Sequence, residues 1–411
     1  MLTLRKPVFA VAGYNTVFFG PGRREFDPRK PMPRFETYLQ EAADGVCAQL
    51  PNPGFDEGII TNFVAARFIK QNNLAGFLPH VVPDLAGKPC TAVEGACGSG
   101  GLGIAAAVKA VLSGLAERVF VLGFEIQNTV KPVYGADVLA AAGYYNGQRK
   151  QGHAFFFPGL FSDRAGAYYE KYGYEDARRG MAKWYESAIL NARKNPKAQE
   201  HHNATEDLLA LGMTPPNGKT FLEHLNPYDC SKVSDGASAV VVASAEGLRK
   251  LGVEAEEAVE IIGLGQAEGD ITRTPTEPTV LDTTGIAAAR AMEMAGAGIN
   301  EVGVLELHDC FTISGLLALE SIGFAAPGRA PTFVLDGKAA VDGAVATNAS
   351  GGLVGFGHPT GASGVRMMVD LVDQFTGKAS NPAQRDKPYG MMISMGGDDK
   401  TVSAFVVRPC V

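Results

Sequence analysis

An internal repeat is the feature that most constrains the fold: the order of strand and helix patterns in the first half of the chain recurs in the second half. In both halves, short β-rich runs alternate with Ala-rich helical stretches, which is typical of βαβ units with buried, mostly parallel strands. The repeated segments, first half before second, are VFAVAGYN and VEIIGLGQ, DEGIITNF and VGVLELHD, GACGSGGLGIAAA and GFGHPTGASGVR, and RVFVLGFE and YGMMISMG. The repeat predicts an α/β fold of two similar halves.

The two halves differ in the spacing of their last two strands. In the second half YGMMISMG and TVSAFVV are neighbours, whereas in the first half a long segment separates RVFVLGFE from ASAVVVAS. We therefore predict that residues 126–225 are an inserted loop domain, a length of loop that is usually functional. Residues 1–125 and 226–256 would form the N-terminal half, and residues 257–411 the C-terminal half.

The composition is that of a globular protein without a basic surface. The 411 residues carry 37 basic and 44 acidic side chains, for a formal net charge of -7, so nucleic acid is not expected as a partner. Charged side chains interrupt the most apolar stretch, residues 100–124, which predicts no membrane span. The 6 cysteines form no CxxC pair, and this pattern predicts reduced thiols in an intracellular protein. We expect a cytoplasmic location, with mitochondria or peroxisomes as the alternatives in a eukaryote.

The repeat places Cys97 and His358 in equivalent Gly-rich turns, each of which begins a helix. Two halves related by a pseudo-twofold axis bring equivalent turns close to a shared centre. Unpaired backbone N–H groups and the helix dipole at such a turn are expected to lower the pKa of the Cys97 thiol. A histidine within hydrogen-bond reach would then complete an activated nucleophile for covalent acyl transfer.

The segment ELHDCF adds two further candidates, His308 and Cys310, directly after an apolar strand. The carboxyl ends of such strands are where α/β sheets present their reactive groups. His308 could donate a hydrogen bond to a carbonyl oxygen, and Cys310 could move a proton. We expect Asp309, between them, to face away and anchor the loop.

A competing motif overlaps the Cys97 turn. Residues Gly98 to Gly103 match the GxGxxG pattern of a dinucleotide site, and Glu125 follows at the end of a strand. The segment before the motif is a poor hydrophobic strand, and the motif has no role for Cys97, so a nicotinamide-dependent oxidoreductase is only a third alternative. No cluster of His, Cys or carboxylate side chains has the sequence spacing of a metal site, and no metal is expected.

Together these segments resemble the thiolase family over nearly the whole chain. ACGSGGLGIAAA resembles the nucleophile block, SKVSDGASAVVVAS the strand that closes the N-terminal half, and GFGHPTGASGVR the Gly-His-Pro block. HDCF, at His308 to Phe311, replaces the Asn-Glu-Ala-Phe block of ordinary thiolases, as in the sterol-carrier-protein-2 thiolase branch. The resemblance implies two βαβαβαββ halves in a five-layered α-β-α-β-α core, with the inserted loop domain covering coenzyme A (CoA).

The resemblance also implies roles for individual residues. Cys97 would be acylated by an acyl-CoA thioester, with His358 as its base. His308 and His358 would polarise the thioester oxygen, and the backbone N–H groups of Cys97 and Gly396 would hold the oxyanion of the acyl-enzyme's tetrahedral intermediate. Ser231 aligns with a serine that contacts the pantetheine of CoA.

The chain departs from the family at the segment ISMGGDD. Ser394 occupies the place of the cysteine that serves ordinary thiolases as second acid/base, and serine is too weak an acid for that role. In the sterol-carrier-protein-2 branch the cysteine of HDCF replaces it, which implies that Cys310 moves the α-proton of acetyl-CoA. Asp398 and Asp399 stand where more glycine is usual and are expected to alter the rim of the site or the affinity for CoA.

The sequence therefore predicts a CoA-dependent thiolase that cleaves 3-ketoacyl-CoA or condenses two acyl-CoAs through an acyl-enzyme at Cys97. Acyl-CoA and CoA would be its substrates, and no permanently bound cofactor is expected. The resemblance implies a homodimer or tetramer. The alternative is a thiolase-like subunit with little activity alone, which acts with a small partner subunit in an acyltransferase or aldolase complex.

Overall fold

The computed structural model describes residues 3–149, 152–384 and 386–410. The strands of the first half are β1 (Val8–Asn15), β2 (Glu57–Thr61), β3 (Cys90–Val93), β4 (Arg118–Glu125) and β5 (Gly236–Ser244). Those of the second half are β6 (Ala258–Glu268), β7 (Val302–Leu307), β8 (Ala346–Thr347), β9 (Tyr389–Gly396) and β10 (Thr401–Pro409). Hydrogen bonds join them into a 10-stranded sheet with the order β3-β2-β4-β5-β1-β6-β10-β9-β7-β8.

This strand order confirms the predicted duplication. From its outer edge inward, the first half runs β3, β2, β4, β5, β1, and the second half runs β8, β7, β9, β10, β6. The outer strands of each half pair in the same way, since β2 lies parallel to β3 and β4, and β7 lies parallel to β8 and β9. The halves meet where β1 and β6 pair antiparallel, with Val8 opposite Ile261.

Fifteen helices accompany the described strands. They are α1 (Phe35–Cys47), α2 (Ala65–Phe68), α3 (Leu78–Val81), α4 (Ser99–Ser113), α5 (Pro132–Leu139), α6 (Tyr145–Gln148), α7 (Phe156–Tyr172), α8 (Tyr174–Arg193), α9 (Leu208–Gly212), α10 (Ala245–Leu251), α11 (Asp282–Ala295), α12 (Thr312–Ser321), α13 (Ala330–Leu335), α14 (Gly352–Gly355) and α15 (Thr360–Thr376).

The contacts of the helices with the sheet define the layers of the fold. Helices α4 and α15 pack on each other and contact strands of both halves, so they form the central layer between the two halves of the sheet. Helix α1 covers β1, β4 and β5 on the outside, and α11 covers β6 and β10. Both central helices end at a left-handed glycine, Gly114 and Gly377, the usual C-terminal cap. The predicted α/β fold with a five-layered core is confirmed.

The central helix α4 is the reason that one segment resembles a membrane span. Residues Ala96–Ser113 are long and apolar enough for a span by length and composition, but 61% of this window is buried inside the protein. A helix that packs between two halves of a sheet has the same apolar composition, and in this fold the segment is a core helix.

The segment between β4 and β5 contains α5 to α9 and an internal buried ion pair that bonds to α12. Arg178 of α8 donates two hydrogen bonds to Asp229, one of them 2.7 Å long, and neither side chain is exposed. Thr312, at the start of α12, donates to the same carboxylate at 2.7 Å. These bonds fix the strand-like segment after Asp229 beside the loop that follows β7. The domain boundaries at residues 126, 225 and 256 stay a prediction.

The crossing of α4 and α15 generates a stability prediction. A Cβ at Gly100 would lie 2.6 Å from the backbone nitrogen of Val365 and 2.8 Å from Cα of Gly364. Backbone atoms cannot move aside, so we expect Gly100→Ala to lower the free energy of unfolding by about 1 to 3 kcal/mol. Chemical denaturation measures the change.

The matched control is Gly135→Ala in α5, where the nearest atom to a new Cβ is a side-chain carbon at 3.7 Å. This substitution should be neutral or stabilise the protein by up to about 1 kcal/mol, because alanine favours helix. Equal effects of the two substitutions would contradict the close crossing.

Candidate active site

The Cys97 turn at the start of α4 is tightly packed. A single 3₁₀ turn, Ala96–Gly98, precedes the helix, and Ala96 has a left-handed φ of 54°, which is a strained conformation for a residue with a Cβ. A Cβ at Gly98 would lie 3.0 Å from the backbone nitrogen of Gly396. The turn therefore holds Cys97 against the end of β9, where the N–H of Gly397 donates to its sulfur.

His358 lies in the matching turn before α15 and is held by residues of the first half. Its backbone N–H donates to Ser234 Oγ at 2.9 Å, and its carbonyl accepts from Gln127 Nε2 at 2.6 Å. Its Nδ1 lies 2.6 Å from Ser363 Oγ, and that hydroxyl donates to the Pro359 carbonyl. The serine oxygen therefore accepts from Nδ1–H, which leaves Nε2 without a proton.

His308 and Cys310 follow the end of β7, with Asp309 between them. The Asp309 carboxylate accepts hydrogen bonds from Trp184 Nε1 at 2.9 Å and from the Leu353 backbone N–H at 2.6 Å. Asp309 thus faces away and anchors the loop, as predicted from the sequence. His308 and Cys310 are left to line the same cavity.

The fold brings the predicted nucleophile and both histidines together. The Cys97 sulfur and one ring nitrogen each of His308 and His358 lie within 4.8 Å of one another, and the two rings are 5.1 Å apart at 83°. Among the described residues, His358 Nε2 and His308 Nδ1 are buried without a hydrogen-bond partner. Cysteine and histidine are also ligands of zinc, so the tertiary structure forms a grouping that the sequence spacing does not indicate.

These side chains line a cavity of about 130 Å³, here called the Cys97 cavity. Cys97, His308, Cys310, His358 and Gly397 all reach it, and four phenylalanines, Phe63, Phe157, Phe161 and Phe311, form part of its remaining wall. A second cavity of about 660 Å³, here called the outer cavity, adjoins it. The two share several lining residues, which are Gln127, Leu139, Phe157, Pro158, Ser231, Lys232 and Val233. Ser231 therefore lies at the junction between the reactive groups and the larger space.

Burial determines the protonation state of the site. It raises the pKa of Cys97 to about 12, with the nearby charge of Glu125 adding to the rise. It lowers the pKa of His358 to about 3, and the charge of Arg366 acts in the same direction. The resting pair is therefore a neutral thiol and a neutral imidazole. The expectation that the helix start lowers the pKa of Cys97 is wrong, because desolvation of the thiolate outweighs the Gly397 N–H.

The same burial acts on the second pair of groups. It lowers the pKa of His308 well below its ordinary value and raises that of Cys310 well above it. Cys310 makes one polar side-chain contact, with Ser314 Oγ at 3.7 Å, and its carbonyl accepts from the Ser231 N–H at 2.8 Å. A thiolate at Cys310, once formed, would be a strong base.

The structure gives another explanation of the dinucleotide motif. Its first part, KPCTAV, does form a strand, β3, which is poor in apolar residues because it is the outermost strand of its half. The motif's glycines serve helix packing: a Cβ at Gly103 would lie 2.2 Å from the Thr61 side chain. Glu125 accepts from the Phe63 N–H at 2.8 Å and from Thr360 Oγ1 at 2.7 Å. Protein groups thus occupy the positions that the motif assigns to a nucleotide.

Sequence reasoning missed Gly397 and Ser363, and it placed Ser394 and Gly396 only by resemblance. Ser394 packs against Gly101, where a new Cβ would lie 2.7 Å from that of Ser394, and it is not among the residues that line the Cys97 cavity. Gly396 lies one residue before Gly397, and its part in an oxyanion hole stays a prediction. The adjacent glycines of ISMGGDD were the available signal for Gly397.

The neutral resting pair predicts how alkylation of Cys97 depends on pH. The thiolate is the reactive form, and its fraction grows until the pH reaches the pKa of about 12. Iodoacetamide labelling of the Cys97 peptide should therefore accelerate about tenfold per pH unit between about pH 7 and about pH 10. Peptide mass spectrometry follows the label, and Cys97→Ala identifies the peptide. A rate that levels off near neutral pH would instead reveal a thiolate–imidazolium pair.

Comparison with known proteins agrees with the fold. The family described as thiolase C-terminal domain-like matches residues 265–407. The structure is similar to that of the Ltp2-ChsH2(DUF35) aldolase, with a TM-score of 0.79 at 20% sequence identity over 99% of this chain and 98% of that chain. At this identity the likeness shows a shared fold.

Sequence relatives extend the likeness over almost the full chain. Acetyl-CoA acetyltransferase of Methanothermobacter thermautotrophicus is 31% identical over 378 residues, which cover 90% of this chain and 94% of that protein. Sterol carrier protein 2 of Homo sapiens is 27% identical over 92% of this chain and 67% of its own length. The predicted resemblance is confirmed: this chain belongs to the thiolase family of acyltransferases.

Proposed function

We propose that this thiolase uses acyl-CoA substrates and works through an acyl-enzyme at Cys97. The observation that carries the proposal is the convergence of the Cys97 sulfur with nitrogens of His308 and His358, all within 4.8 Å, in a buried cavity. The enzyme would cleave 3-ketoacyl-CoA with CoA, or condense two acyl-CoAs. The concentrations of substrates and products set the direction of the reaction, because the same side chains serve cleavage and condensation.

In the acylation step Cys97 attacks the thioester carbonyl of an acyl-CoA. Its proton passes to His358 Nε2 and from there to the CoA sulfur, which leaves as a thiol. Because the pKa of Cys97 is near 12 and that of His358 near 3, the proton moves only as the new C–S bond forms. His308 polarises the thioester oxygen, and His358 donates to it only while Nε2 carries the Cys97 proton. The N–H groups of Cys97 and Gly396 hold the second oxyanion.

In the condensation step Cys310 first gives its thiol proton to an imidazole of the same cavity, His308 or His358, and its thiolate then removes the α-proton of a second thioester, acetyl-CoA. The resulting carbanion attacks the acyl carbonyl on Cys97, the bond to the Cys97 sulfur breaks, and the Cys97 thiolate takes its proton back from that imidazolium. The high pKa of Cys310 supports this role, since a desolvated thiolate is a strong base. In cleavage the same steps run in reverse, and Cys310 protonates the departing acetyl-CoA.

The outer cavity is our candidate for the CoA site. It is lined by Ser231 beside the reactive groups and by Lys131 and Lys232. A lysine ammonium binds phosphate as a point charge, and the mainly apolar walls suit the pantetheine chain. No permanently bound cofactor is needed for this chemistry. The cytoplasmic location stays a prediction.

Intact-protein mass after brief incubation with acetyl-CoA and, separately, acetoacetyl-CoA tests the acyl-enzyme. We expect an acetyl adduct that is absent from Cys97→Ala. Cys230→Ala is the matched control, because Cys230 lines the same cavity and has no proposed role, and this variant should keep the adduct. Cys310→Ala should also keep it while losing about 10²- to 10⁴-fold in condensation rate.

The alternative is that this chain is a thiolase-like subunit that turns over only with a small partner. The likeness to the Ltp2-ChsH2(DUF35) aldolase, whose name joins two components, supports this alternative. The retained reactive groups favour an active enzyme. Absence of any adduct with either thioester would favour the partner-dependent subunit and contradict the simple thiolase.

We also propose that the protein forms a homodimer through the free edge of β3, or a tetramer built from such dimers. The edge strand exposes Thr91 and Ala92, and an unpaired strand edge is a template for pairing with a second copy. Light scattering should give twice the chain mass or more, and Ala92→Lys should give a monomer. Leu115→Lys is the control, since Leu115 is 86% exposed elsewhere. A monomeric wild type would contradict the proposal.

A further inference from the structure

The acidic pair in GGDD, which departs from the family, has a specific structural partner. Asp398 accepts a hydrogen bond from Nε of Arg164 at 2.6 Å, and the two side chains are only 11% and 3% exposed. The Arg164 guanidinium also donates to the carbonyls of Pro278 and Val280, at 2.7 and 3.1 Å. A turn that continues from Gly396 and Gly397 is thereby bonded to α7.

Arg164 connects this turn to the aromatic wall of the Cys97 cavity. Its guanidinium lies 5.9 Å from the ring centre of Phe161, one turn earlier on α7, within the range of a cation–π contact. Phe161 stacks on Phe311, with ring centres 4.6 Å apart and planes inclined by 27°. Phe311 is the last residue of HDCF, so the wall joins the inserted segment to the segment that carries His308 and Cys310.

The position of the Phe161–Phe311 stack determines how it limits the Cys97 cavity. Phe161 and Phe311 line the Cys97 cavity but not the outer cavity, so they belong to the part of its wall that the outer cavity does not share. Both belong to the main hydrophobic core, together with Tyr168 and Leu316. An acyl chain on Cys97 that grew in this direction would meet packed protein.

The volume limits the acyl group. The Cys97 cavity holds about 130 Å³, slightly less than the roughly 150 Å³ of an apolar cavity that takes up one benzene molecule. We propose that the Asp398–Arg164 ion pair positions the Phe161–Phe311 stack as a stop, and that this stop restricts the enzyme to short acyl groups. The inference rests on the proposed acyl-enzyme at Cys97.

The test measures acyl-adduct formation at Cys97 with acetyl-, butanoyl-, hexanoyl- and octanoyl-CoA. In the wild type, the rate of adduct formation should fall by about tenfold or more from butanoyl-CoA to hexanoyl-CoA, because methylenes that do not fit a pocket weaken binding in the transition state. Phe161→Ala should raise the hexanoyl-to-acetyl rate ratio by about tenfold or more. Phe161→Leu, a smaller change to the core, should raise it in the same direction.

The ion pair is tested by Asp398→Asn and Arg164→Met. Both should raise the hexanoyl-to-acetyl ratio, although less than Phe161→Ala, because the stack remains but is no longer held. Lys171→Met is the matched control: Lys171 also lies on α7 and forms an exposed ion pair with Glu277. This variant should leave the ratio unchanged.

The outcomes separate this inference from the proposed function. A wild type that forms no adduct with any thioester would contradict the acyl-enzyme itself. A wild type that reacts equally with acetyl- and octanoyl-CoA would overturn the stop. Variants that slow adduct formation by the same factor for every acyl chain length would also overturn the proposed stop. A general loss of structure or an electrostatic effect on Cys310 would act in this way, because neither depends on chain length.

Discussion

The close packing of α4 on α15 is the contact on which the rest of the site depends. Gly100 lies against the backbone at Gly364 and Val365, so the two helices cross without side chains between them. Each helix begins at a turn that holds one reactive residue. Because the helices are related by the internal repeat, their close crossing brings Cys97 and His358 together from distant parts of the chain.

Burial is the second constraint, and it favours the neutral form of each of these groups. It keeps both thiols protonated and both imidazoles neutral. The charge of Arg366 also lowers the pKa of both histidines, and Arg366 forms ion pairs with Glu306, 3.2 Å away, and with Asp370. A site of this kind develops charge only when a substrate arrives. Fixed N–H groups at the Cys97 turn and a preset tautomer at His358 therefore contribute more to stabilising the transition state than a preformed thiolate would.

Much of the fold could be predicted because the repeat aligns strands whose apolar patterns are strong. VFAVAGYN is β1 and RVFVLGFE is β4, with the bounds expected from the sequence. The exceptions are β3, whose residues are half exposed at the sheet edge and therefore carry little apolar signal, and the two-residue β8. The four candidate side chains chosen from the sequence do line one cavity. The direction of the Cys97 pKa shift could not be predicted, since desolvation depends on what surrounds the sulfur in three dimensions.

The sequence by itself determined the α/β class, the duplication, the family and the choice of four candidate side chains, because these depend on local patterns and on the equivalence of two turns. Only the tertiary structure decided that the pairs are neutral, that Glu125 bonds to protein rather than to a nucleotide, and that Asp398 reaches Arg164. Each of these depends on contacts between residues far apart in the chain, and solvent exclusion and hydrogen-bond geometry at such contacts have no counterpart in local sequence.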